Sequence, residues 1–234
     1  MKKFVIILII IFSVISCERT DMYDDATSYA SIYAWFSPDD CKIDASSQIY
    51  KCEEKDGRSQ SLYNGTPPPI LDPTTFNSKK SISFSGISSN YLISDSFLLT
   101  NPMTIIFAMS NCILQGPIIG NSLNTNSLVI KYDGTNISIN DTPELSAPAT
   151  GLTSGSAIIA ITIDSDNYAK IYLNNTLAVK GTLSSESVID GLLLGSNGAS
   201  FIGANLGDII FFNKVINEDA REYYVNLLKE KYNI

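Results

Sequence analysis

The sequence predicts an all-β fold, a large sandwich or jelly roll of two antiparallel sheets closed by one short C-terminal helix. Three observations predict it. From about residue 80 onward, short segments rich in Ile, Val, Phe, Tyr, Leu and Thr alternate with Gly, Asn, Ser and Asp, the pattern of strands and turns. Two of the turns have the residues that a tight hairpin needs. Helical spacing of apolar residues occurs once, in the last segment of the chain.

Taken in order, the chain opens with Lys2 and Lys3, an apolar run from Phe4 to Phe12, and Ser13 to Ser16. That is the layout of a secretory signal peptide, and its apolar run is shorter than the ~20 residues that cross a bilayer. The tetrad Val14-Ile15-Ser16-Cys17 resembles a lipobox, in which the chain is cut before the cysteine and that cysteine carries lipid. The alternative is an ordinary signal peptide with Cys17 in a disulfide. Residues 1–16 are thus expected to be the signal, and 17–29 a lipidated cysteine with a polar, acidic tether. A lipoprotein of this kind sits at a membrane through its acyl chains, each buried methylene contributing about 0.8 kcal/mol. The outer membrane or cell surface is the expected location.

Removing residues 1–16 takes away two of the 16 basic residues and none of the 24 acidic ones, leaving 14 − 24 = −10. Such a balance argues against nucleic acid, where affinity rests on neutralised phosphates, and against a polybasic membrane patch. No histidine is present. The Ser-His-Asp and Cys-His systems, histidine zinc sites and the usual neutral-pH proton shuttle therefore drop out.

Of the four cysteines, Cys17 is assigned to the anchor. Cys41 and Cys52 lie close together in an exported chain and are expected to form a disulfide, worth roughly 3 kcal/mol by the chain-entropy account. Cys112, beside Ile113 and Leu114, is then a buried thiol. The rival pairing joins Cys112 to one of the other two.

Strands are expected near 81–85, 91–93, 103–110, 117–120, 127–132, 136–140, 156–164, 168–173, 177–180, 191–195 and 207–213, all within one domain, 30–234. Asp133-Gly134 and Asn174-Asn175 supply the two hairpin turns, since Gly and Asn tolerate positive φ. Residues 53–80, with Pro67-Pro68-Pro69 and Pro73, read as a loop excursion. At the end, Asn217 caps a helix with Glu218 and Asp219 in its first turn and Lys229 and Lys231 in its last. Its apolar stripe is Ala220, Tyr223, Tyr224, Leu227 and Leu228.

Several segments fall in a familiar order: Ala34-Trp35-Phe36, Asp56-Gly57-Arg58-Ser59, Ile82-Ser83-Phe84-Ser85-Gly86 with Tyr91-Leu92, and Ile171-Tyr172-Leu173-Asn174-Asn175. The chain then closes on Gly207-Asp208-Ile209-Ile210-Phe211-Phe212 and Leu227-Leu228-Lys229-Glu230-Lys231-Tyr232. Together they resemble the concanavalin A-like, laminin-G-type jelly rolls of bacterial surface proteins. The loop at 56–59 departs from that pattern by lacking its second glycine.

The resemblance implies a binding module with a carbohydrate or a surface protein as partner. It also implies Ca²⁺ at the sandwich rim, for which Asp39, Asp40, Asp133, Asp164 and Asp166 are the candidates, since this hard cation takes oxygen ligands. The plainer reading of these five is solvated loop carboxylates. Some members of the superfamily are glucanases with Glu-x-Asp-x-Glu on one strand. That run is absent here, and the cluster from Glu186 to Asp190 has the wrong spacing for it. Twelve tyrosines and many asparagines suit sugar binding, although most serve simply as strand and turn formers. Trp35, the single tryptophan, is expected in the core.

Overall fold

The structure, a computed structural model, describes residues 32–55, 60–87, 90–122, 128–139 and 144–234. The signal, Cys17 and the tether therefore lie outside the described residues, as does the 56–59 loop. The described strands are β1 (Ile32–Ile43), β2 (Ile49–Glu54), β3 (Ser61–Asn64), β4 (Ile70–Phe76), β5 (Lys79–Ser85), β6 (Leu92–Thr100), β7 (Met103–Leu114) and β8 (Gly116–Asn121). They continue with β9 (Ile130–Tyr132), β10 (Asn136–Ile139), β11 (Leu145–Pro148), β12 (Ser156–Ile163), β13 (Tyr168–Leu173), β14 (Thr176–Thr182), β15 (Val188–Leu194) and β16 (Gly203–Phe212). Among the described residues the one α-helix, α1 (Glu218–Tyr232), lies at the C-terminal end.

All pairings are antiparallel, and they form one path, β11-β10-β9-β8-β15-β6-β3-β2-β1-β16-β7-β12-β13-β14, with β5 and then β4 branching from β16. The path folds over so that its two halves face each other. Phe97 on β6 meets Phe211 on β16 edge-on across the interior, with centroids 4.9 Å apart. The nearly closed sheet brings its ends, β11 and β14, into contact.

Strand period then decides what each side buries. On β7, Ile105, Phe107 and Met109 point into the core between the halves, while Ile106 and Ala108 point outward. The outward residues do not meet water, because α1 covers them. Trp35, Ile158, Ala160, Ile210 and Phe212 form this second core with Tyr224, Val225, Leu228 and Tyr232. Every residue of β16 is buried for that reason. Both cores, the disulfide and the helix lie within Ile32–Ile234, which forms one compact unit.

The expected hairpins are present. Gly134 has φ +101 in the turn between β9 and β10, and Asn174 and Asn175 have φ +51 and +74 between β13 and β14. The helix starts where expected, with the Asn217 side chain accepting from the Ala220 N–H at 2.8 Å. Its buried face differs from the expected stripe: Arg221, Tyr224, Val225, Leu228 and Tyr232 are buried and Tyr223 is exposed. Arg221 is covered because its guanidinium stacks 3.9 Å from the Tyr172 ring centroid and donates to Asn175.

The loop excursion over 53–80 is a correction: the segment holds the end of β2, all of β3 and β4, and the start of β5. Proline is tolerated at Pro73 because the register with β5 shifts between Asp72 and Phe76, and the other edge of β4 is paired at its start, at Ile70 and Leu71. β11 also escaped the sequence reading, which ended the preceding strand at residue 140. Trp35 is in the core, as expected.

Candidate functional site

Cys41 and Cys52 face each other on β1 and β2 and form the expected disulfide. Cys112 is free and buried, and burial pushes its thiol up to about 12.

The five candidate aspartates do not converge. Asp39 and Asp40 lie inside β1, which corrects their placement in or beside a loop. Asp39 pairs with Lys231 at 2.9 Å and Lys80 at 3.3 Å. Partial burial pulls its carboxyl upward, but the two lysines outweigh this and hold it below its ordinary range. Asp40 moves the other way, raised by burial and by the nearby Asp39 and Asp208, against the pull of Lys55.

Asp133 takes the β9–β10 turn: its Oδ1 accepts the N–H groups of Thr135 at 2.9 Å and Asn136 at 2.7 Å. The Asn136 side-chain amide and these backbone bonds bring its carboxyl down to about 2. Asp164 does similar work between β12 and β13, accepting from the N–H groups of Asp166 at 2.9 Å and Tyr168 at 2.8 Å. Among the described residues, no group of three or more His, Cys, Asp or Glu side chains is placed to hold a metal.

A different surface gathers chemistry. Residues directly opposite on neighbouring strands share a face, and the register aligns Lys42, Lys51, Tyr63, Ile93 and Leu193 across β1, β2, β3, β6 and β15. The alternate residues Cys52, Leu62, Leu92 and Leu194 fill the core, so this row lies on the outer face. Tyr63 stands at its centre, 52% exposed. The Lys51 ammonium is 5.7 Å from the Tyr63 ring centroid, within cation–π reach.

Glu53 Oε1 accepts from both Lys42 at 2.7 Å and Lys51 at 3.0 Å. Those two lysines hold the Glu53 carboxyl below its usual range, and Glu53 raises Lys42 in return. Across from Glu53 stands Ser61. Beside the row, the register shift between β1 and β2 makes Tyr50 the extra, bulged residue, and it is exposed.

The row therefore offers an open aromatic ring, one carboxylate acceptor and two ammonium donors. A ring face stacks on the C–H face of a pyranose while the charged groups meet its hydroxyls. Sequence reasoning missed it because Tyr63 fell within the supposed loop. The alternations Lys51-Cys52-Glu53 and Ser61-Leu62-Tyr63 carried the signal.

Neither a protein-family model nor a curated protein sequence matches the chain. Solved structures share its architecture. In fold, the chain is similar to botulinum neurotoxin receptor-binding domains. The type G receptor-binding domain superposes with a TM-score of 0.62 at 12% identity, covering 85% of this chain and 51% of the other. The binding domain of Paraclostridial Mosquitocidal Protein 1 gives 0.63 at 13% identity, covering 86% and 53%. The serotype D ligand-binding domain, solved in complex with N-acetylneuraminic acid, gives 0.62 at 16% identity, covering 84% and 50%. This chain thus spans about half the length of those domains. At such identities the likeness establishes an all-β, jelly-roll-like fold.

Proposed function

We propose that this chain is a non-catalytic binding module that recognises saccharide on the outer sheet face around Tyr63. Lipid on Cys17 holds it at a membrane, with the acidic residues after that cysteine as its tether, at the outer membrane or cell surface. The observation that carries the reading is the exposed Tyr63 ring in line with Lys51 and Lys42, both bonded to Glu53. Support also comes from the similar fold of a toxin domain solved with N-acetylneuraminic acid. Recognition without turnover suits this surface: a retaining glycosidase needs two carboxyl groups about 5 Å apart, and Glu53 faces Ser61. The absence of histidine from the chain points the same way.

A glycan array probed with residues 26–234, with and without calcium, tests the proposal. Selective signals support it. A flat array together with a protein partner in pull-downs sinks it in favour of a protein-binding envelope component.

A further inference from the structure

On the outside of the sandwich, lysine faces lysine twice. Lys42 on β1 lies opposite Lys51 on β2, and Glu53 accepts from both. On the other half of the sheet Lys170 on β13 lies directly opposite Lys180 on β14. The neighbours of Lys170, Ala169 and Ile171, fill the core, so this second pair points to the outer face, where Lys180 is exposed. The ion pairs among the described residues engage Lys42, Lys51, Lys80, Lys131, Lys231 and Arg221, and neither Lys170 nor Lys180. Asp164, opposite Tyr168 in the adjoining turn, directs its Oδ1 to the N–H groups of Asp166 and Tyr168. Like charges directly opposite in a ladder repel, so the pair is a local positive site on a chain whose formal net charge is −8.

We infer that Lys170 and Lys180 form a second ligand site, one that takes the sulfate or carboxylate group of an acidic saccharide. Directly opposite residues have Cβ atoms about 5 Å apart, so both ammonium groups can donate to oxygens of one such group in charge-assisted hydrogen bonds. The flanks of the pair suit a sugar. On one side Tyr168 lies opposite Thr182, with its ring centroid 5.9 Å from the Lys170 ammonium, and offers a ring face beside a hydroxyl. On the other side Tyr172 carries the Arg221 guanidinium 3.9 Å from its ring centroid, with Glu218 3.5 Å from that guanidinium. Two lysines are too few for larger anions: membrane surfaces are bound through clusters of about 4–8 basic residues, and nucleic acid through many neutralised phosphates. The site lies on the half of the sheet away from Tyr63 and is independent of saccharide binding there.

The test titrates the full chain, solubilised in neutral detergent at low salt, with galactose 6-sulfate, galacturonic acid and galactose. At least one of the two acidic sugars binds about tenfold or more tighter than galactose, the worth of one charge-assisted hydrogen bond. Whichever acidic sugar binds names the preferred group. Lys170→Gln and Lys180→Gln each remove that preference, and Tyr63→Ala keeps it. Without ligand, Lys180→Gln melts at or above the temperature of the parent, because one of two like charges is gone. Equal affinity for all three sugars overturns the proposal, as does no binding of either acidic one. So does an acidic preference that survives both lysine substitutions, or one lost in Tyr63→Ala, which would assign it to Lys42 and Lys51. A lower melting temperature for Lys180→Gln would show that the lysine pair carries no unrelieved repulsion, and counts against the site as well.

Discussion

The indole of Trp35 donates its Nε1–H to Asp208 Oδ2 at 3.0 Å, a bond between two residues buried under the C-terminal helix and 173 positions apart in sequence. The other carboxylate oxygen accepts from Tyr232 Oη and Lys231 Nζ, both at 2.8 Å. Asp208 has no exposed surface, so its charge is tolerable only because these donors surround it. One carboxylate thereby ties β1, β16 and the last turn of α1 together.

Asp208→Ala should therefore cost on the order of 3 kcal/mol, the range for removing one partner of a buried ion pair. The urea midpoint, followed by emission of the single tryptophan, reads this directly. A shift under a few tenths of a kcal/mol would mean that the helix docks through its apolar face alone.

The cysteines give a second prediction. Cys112 should resist thiol reagents in the native protein and react only on unfolding, because burial holds its thiol near 12. Replacing Cys41 and Cys52 together should cost roughly 3 kcal/mol by the loop-closure account. Fast native labelling of Cys112 would contradict the packing of β7.

Asp133 should titrate with a midpoint near 2 in the folded protein. Its folded value lies below the ordinary 3.8. The turn's contribution is therefore complete above about 3.8 and is lost as pH falls through about 2. Carboxyl chemical shifts followed by NMR measure the midpoint. A value near 3.8 would show that the bonds from Thr135 and Asn136 do not form.

For the anchor, Cys17→Ala should abolish incorporation of labelled palmitate and leave the precursor uncut. Continued labelling would place the lipid elsewhere.

Local chemistry made much of the fold legible. Gly134, Asn174 and Asn175 are turn residues whose positive φ follows from their type, and Asn217 caps its helix by the same short-range logic. What was not legible depends on contacts distant in sequence. Pro73 signals a break, yet β4 persists because its edge position requires few backbone donors. Asp39 and Asp40 suggest a loop, yet β1 runs through them between Phe36 and Cys41, where its register shifts. Lys231, from the other end of the chain, neutralises Asp39. Tyr63 was hidden for a similar reason: its importance comes from Lys51 and Ile93 on either side, and only the sheet brings them together.

The most direct test of the sugar-binding face is titration of Tyr63→Ala against the strongest ligand from the array, with Tyr223→Ala as an exposed control on α1. The sheet-face account predicts at least about a tenfold loss of affinity for Tyr63→Ala, equivalent to roughly 1.4 kcal/mol, and none for Tyr223→Ala. Unchanged affinity in Tyr63→Ala, with the fold intact by Trp35 emission, would contradict it.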